Sequence, residues 1–136
     1  MGEKYPFKNL KVLETKFFEI HQDWEVPISG FFIISPKRKL NTIADFTEKE
    51  AEEFIVVLCK LRKDMKTKLA INTVYLFENE DTTHNFHFWI FPRHSWMERF
   101  GRKIESVRPI MEYAKKNMMN EENILIVKEY VKKMKI

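Results

Sequence analysis

Residues 82–94 read Thr82-Thr83-His84-Asn85-Phe86-His87-Phe88-Trp89-Ile90-Phe91-Pro92-Arg93-His94. From Asn85 to Phe91 the pattern alternates, and it stops at Pro92. Alternate side chains of a strand share a face. Phe86, Phe88 and Ile90 therefore point one way, into a core. Asn85, His87 and Trp89 point the other way. A sheet face that mixes polar and aromatic groups fits a pocket wall. The plainer alternative, that His87 is an ordinary strand residue, stays open at this point.

The chain has four histidines, His21, His84, His87 and His94, and three of them fall within this stretch. That density raises the question of a metal. His84 and His87 are three apart, so a regular strand sends them to opposite faces. His94 lies beyond Pro92. A zinc site needs three or four converging ligands, and there is only one cysteine. No metal and no other cofactor is expected.

Working outward, Ile71 to Phe77 carries the strand formers Val74, Tyr75 and Phe77. The polar loop Glu78-Asn79-Glu80-Asp81-Thr82-Thr83 joins it to the histidine strand, so the two form an antiparallel pair. Upstream, Thr47 and Glu50 fit a capping box. Apolar residues follow at Ala51, Phe54, Ile55, Leu58, Leu61, Met65 and Leu69. Their spacing predicts one long amphipathic helix, with Lys60, Lys63 and Lys66 on its solvated side. Val12 to His21 and Phe31 to Ser35 read as strands, with a turn at Pro27 and Gly30 between them. Two amphipathic helical segments close the chain, one around Ile104–Ala114 and one from Ile124 to Met134. Asn120 is placed to cap the second. The expected class is α+β: a mostly antiparallel sheet, one long central helix and C-terminal helices.

Composition bounds the function. A chain of 136 residues with 44% hydrophobic residues is one domain, with a helical extension from about residue 103. No apolar run approaches a membrane span, and the first residues have no apolar core like that of a signal peptide. A reduced, cytoplasmic setting is expected. The net charge of +4 is an ordinary mixed surface. No aromatic-and-basic sheet motif of the RNA-binding kind appears, so nucleic acid is not the expected partner.

The segment from Phe31 through His94 resembles the histidine triad family of nucleotide hydrolases and transferases. Its signature is His-φ-His-φ-His-φ-φ, commonly followed by Pro-Arg. Anchored on Pro92-Arg93, the three positions fall on Asn85, His87 and Trp89, so only the middle histidine is retained. Gly30-Phe31-Phe32-Ile33-Ile34-Ser35-Pro36-Lys37-Arg38 looks like the family's strand and Pro-Lys-Arg turn. Asn79 and Thr82 match a loop Asn and a small hydroxyl that often precede the triad. Lys39 stands where a histidine often follows that turn, and Glu80-Asp81 where Gly-Gln is usual.

The resemblance implies a nucleotide hydrolase or nucleotidyl transferase like those acting on diadenosine polyphosphates. His87 would be the nucleophile, attacking an α-phosphate to form a nucleotidyl-histidine. Asn79, Thr82 and Asn85 would bind phosphate. His84, Trp89 and His94 are the candidates for an acid or orienting group. Phe18, Ile20 and Phe32 would wall a nucleoside pocket. Asn85 and Trp89 cannot transfer a proton at neutral pH, so a slow enzyme or an unusual leaving group is expected. Lys37, Arg38 and Lys39 are candidates for steering a polyphosphate, although a solvated basic turn explains them as well. A homodimer is implied, with the long helix and the adjoining strand at its interface. The alternative is a nucleotide-binding module with weakened or lost catalysis.

Overall fold

The computed structural model describes residues 5–81 and 85–136. Five strands form one antiparallel sheet: β1 (Lys11–Glu14), β2 (Phe18–Gln22), β3 (Phe32–Pro36), β4 (Val74–Glu78) and β5 (Phe88–Pro92). Their spatial order is β1-β2-β3-β5-β4. Three helices complete the fold: α1 (Glu48–Leu69), α2 (Val107–Asn117) and α3 (Glu121–Lys135). The expected α+β class with a central helix is what the chain adopts.

Where a single strand was expected from Val12 to His21, the chain makes a hairpin. The cause is remote in sequence. The carboxylate of Glu53, on α1, accepts from the Thr15 hydroxyl and from the Phe17 amide, each at 2.7 Å. The Thr15 amide donates to the Phe18 carbonyl at 2.9 Å. No glycine or proline marks this turn.

Helix α1 starts at the expected capping box. Thr47 accepts from the Glu50 amide, and Glu50 accepts from the Thr47 amide. Its buried face, however, is Phe54, Val57, Leu58, Leu61, Met65 and Leu69. Ala51 is exposed and Ile55 is 54% exposed, so the stripe is rotated from the expected one. Val57 takes the place that Ile55 was expected to fill.

The sheet separates two cores. Phe18, Ile20, Phe32, Ile34 and Ile90 face α1, together with Val131 and Met134 of α3. Phe31 and Phe91 face the other way, onto Val107, Ile110 and Ala114 of α2. Burying a side chain of this size contributes roughly 1.5–3 kcal/mol. Helix α3 is capped by the Asn120 side chain, which accepts from the Asn123 amide. Among the described residues, no helix is long and apolar enough to cross a membrane.

Candidate functional site

The alternation read from sequence holds. Phe86 and Ile90 are buried against α1, and Phe88 meets Phe54 edge-on at 5.1 Å. The regular ladder starts later than expected, at Phe88. Before it, the Phe86 amide donates to the Leu40 carbonyl at 2.8 Å. That bond turns residues 85–87 away from β3 and up to the rim of the sheet.

On the opposite face, Trp89 pairs across the sheet with Ile33 on one side and Phe77 on the other. Its ring stacks on Phe77, with centroids 5.6 Å apart and planes 19° apart. The half-buried imidazole of His87 meets the same indole edge-on at 5.7 Å. Phe77 and Trp89 thus make a flat aromatic floor with His87 at one end.

Helix α2 crosses above that floor and leaves a pocket of about 550 Å³. Val107 and Met111 face it from the helix, and Val26 and Phe31 from the segment between β2 and β3. Sequence reasoning did not find one polar wall of this pocket, Asp23. It is 8% exposed. Its carboxylate accepts from the Val26 amide at 2.8 Å and the Glu25 amide at 3.1 Å, and the Trp89 indole beside it favours its ionised form. Burial still raises its pKa above the usual carboxylate value, against the pull of these donors. The only available signal was an acid directly after a strand and three residues before Val26, the spacing of an Asx turn.

The expected site residues divide. Asn79 lines the pocket. Asn85 is exposed, two residues before His87. Thr82 and His84 lie outside the described residues. Trp89 is at the site, stacked on Phe77, and its indole N–H transfers no proton at neutral pH, so it is no acid for a leaving group. Phe18, Ile20 and Phe32 cannot wall a nucleoside pocket. All three are fully buried beneath α1, on the far face of the sheet. The aromatic residues that line the pocket under α2 are instead Phe31, the neighbour of Phe32, and Phe77 and Trp89.

His94 is also elsewhere. It follows His87 by seven residues, roughly 20 Å at about 3.3 Å per strand residue. Its Nε2 donates to the Ser29 carbonyl at 2.6 Å, and its ring lies against Tyr130. Burial lowers its pKa, with the Ser29 carbonyl opposing that shift. It is a structural histidine at the other end of β5. Arg38 is committed too: it makes paired bonds to Glu50 at 2.9 Å and a third to the Asp45 carbonyl. Among the described residues, no three His, Cys, Asp or Glu side chains gather as a metal site.

This architecture recurs in solved structures. A Hit-like protein involved in cell-cycle regulation from Bartonella henselae superposes with a TM-score of 0.62, covering 92% of this chain and 83% of its own, at 18% identity. The fold is that of the histidine triad proteins. A zinc-bound histidine triad family protein from Mycobacterium smegmatis gives a TM-score of 0.60 at 14% identity, over 92% of this chain and 85% of that one. A HIT family protein from Bacillus anthracis gives 0.58 at 22% identity, over 85% and 84%. No protein-family profile matches the sequence, and no curated protein does. At 92% coverage the histidine triad fold takes in part of the C-terminal helices, which the resemblance in sequence did not reach.

Proposed function

We propose that this histidine triad fold is a nucleotide hydrolase or nucleotidyl transferase acting at an α-phosphate, with His87 as nucleophile. The observation that carries the reading is the half-buried His87 imidazole at the end of the Phe77–Trp89 floor, beside a pocket of nucleoside size. Aromatic floors bind nucleobases by stacking, at roughly 1–3 kcal/mol per base. With the nucleoside so held, the α-phosphorus lies towards His87, and Asn79 is a donor for its oxygens.

The chemistry is a two-step displacement. An unprotonated ring nitrogen of His87 forms a bond to phosphorus, and the bond from phosphorus to the leaving oxygen breaks. Water then attacks the nucleotidyl-histidine. The phosphorus–nitrogen bond breaks, a nucleoside monophosphate leaves, and the water's proton passes to solvent. Another acceptor in place of water makes the protein a transferase.

At the triad's first and third positions stand Asn85 and Trp89, and His94 is remote. Neither Asn85 nor Trp89 transfers a proton at neutral pH. General acid help is typically worth about a hundred- to ten-thousand-fold. The reading therefore favours slow turnover of substrates whose leaving group departs as a stable anion, dinucleoside polyphosphates among them. The same observation favours a second reading, a nucleotide-binding module without turnover.

The reading includes a homodimer. Ile55, Val56 and Leu76 are exposed at 54%, 65% and 46%, the first two on α1 and the third on the edge strand β4. With Cys59, the two helix residues form one apolar strip along α1.

The test is intact-protein mass spectrometry after incubation with diadenosine and diguanosine polyphosphates, with chromatography of the products. A nucleotidyl adduct on His87 and release of the monophosphate are expected, and both vanish in His87→Ala. Turnover unchanged in His87→Ala sinks the mechanism. Thermal stabilisation by nucleotides with neither adduct nor product leaves the binding-module reading in its place.

A further inference from the structure

We propose that α2 reads the nucleobase and that the base it selects is guanine. This rests on the nucleotide reading above and adds to it the identity of the base.

Five charged side chains line the pocket: Asp23, Glu25, Arg108, Glu112 and Lys115. Three of them are spoken for. Asp23 accepts from two backbone amides. Glu25 and Lys115 pair at 3.2 Å. Arg108 and Glu112 differ: among the described residues neither makes a hydrogen bond or an ion pair. They are four apart on α2, one turn from each other on the same side. This spacing commonly lets opposite charges meet, yet here the two heads do not pair. Both face a pocket whose floor is the Phe77–Trp89 stack.

A planar base stacked on that floor presents its polar edge to the remaining walls, of which α2 is one. Arg108 there supplies adjacent donors, and Glu112 adjacent acceptors. Guanine is the base that answers both. Its O6 and N7 are neighbouring acceptors, which a guanidinium takes in bidentate fashion. Its N1–H and N2–H₂ are neighbouring donors, which a carboxylate takes the same way. Adenine offers one donor group between two separated acceptors, so each charged head is left half-satisfied. Cytosine offers Glu112 only its N4 amino group, and uracil has a single N–H. A charged group left short of partners on binding is what turns such a match into selectivity.

The experiment is isothermal titration calorimetry of the full chain with GMP, AMP, CMP and UMP. It compares the wild type with Arg108→Ala and Glu112→Gln. Both positions are exposed, so both variants should keep the fold. GMP is expected to bind roughly ten-fold tighter than AMP, the discrimination of one bidentate pair in a partly solvated site. Arg108→Ala should weaken GMP by a similar factor and leave AMP nearly unchanged. Glu112→Gln should shrink the preference for GMP over AMP to the share that Arg108 supplies. Equal binding of all four nucleotides by the wild type overturns the base reading and leaves the nucleotide reading standing. So does a guanine preference that is undiminished in Glu112→Gln. Binding of none of the four removes both readings together.

Discussion

The indole of Trp89, near the start of β5, lies beside the carboxylate of Asp23, just past the end of β2, and favours its ionised form. This contact joins the Asp23–Gly30 loop to the aromatic floor across the whole width of β3. Replacing Trp89 with Phe keeps a ring on Phe77 but removes the N–H donor. Trp89→Phe should therefore lose stability at pH 7. Asp23 has a raised pKa, so its ionised form opposes folding as pH rises through its titration. Losing a donor that favours the ionised form raises this pKa further. The deficit should therefore shrink in acid, where Asp23 is protonated and needs the donor less. Urea unfolding at pH 7 and pH 4 measures both values.

His94 predicts a separate pH dependence. Burial holds its pKa below the ordinary imidazole value, and His21 shares the direction for the same reason. The unfolded chain then binds more protons than the folded one below about pH 6.5. Stability should fall as pH drops from there towards the folded-state pKa values. In His94→Gln the slope of that fall should diminish by one group's share, leaving that of His21. Thermal melts between pH 5 and 8 report the slope.

Arg38 distinguishes anchoring from steering. Its guanidinium bonds both oxygens of the buried Glu50, which also caps α1. Arg38→Ala strips the ion partner from a buried carboxylate. It should destabilise the protein, while Thr47→Ala should cost about 1 kcal/mol through the cap alone. Nucleotide affinity should be unchanged in Arg38→Ala. A large loss of affinity without loss of stability would assign Arg38 to phosphate instead.

The apolar strip on α1 predicts assembly. Val56→Asp combined with Leu76→Asp places charges where the dimer reading buries side chains. Light scattering should show the wild type as a dimer and the double variant as a monomer. A monomeric wild type at micromolar concentration would remove the dimer from the reading.

With Asn85 and Trp89 at the outer triad positions, the proposed mechanism has the leaving group carry its own negative charge in the transition state. Rates across a series of nucleoside aryl phosphates should rise steeply as the leaving phenol becomes more acidic. A flat series would mean that a proton donor acts after all.

The fold was legible where one signal decided each element. Thr47 and Glu50 announced α1, Asn120 announced α3, and Pro92 ended β5. The Lys11–Gln22 hairpin was hidden because its turn is held by Glu53, 36 residues or more away, rather than by local turn residues. Half of the site was legible. Alternation placed His87 and Trp89 on one face, but choosing pocket walls by resemblance landed on Phe18, Ile20 and Phe32. A strand's two faces differ by one residue, and nothing local tells Phe31 from Phe32. Only the packing of α2 shows which face stays open. Asp23 escaped because its neighbour Trp89 is 66 positions along the chain.

The pairing of β3 with β5 reaches across α1 and β4 before the two strands meet. Helix α2 then comes from a still later stretch. The floor, the Asp23 wall and the roof thus originate in segments that must find one another over long loops, the slowest kind of contact to form. A chain in which only the local contacts had formed would have α1 and the β4–β5 hairpin but no pocket. Any ligand of the pocket therefore recognises only the finished molecule. It should lengthen the lifetime of the native state and leave the rate of folding almost untouched.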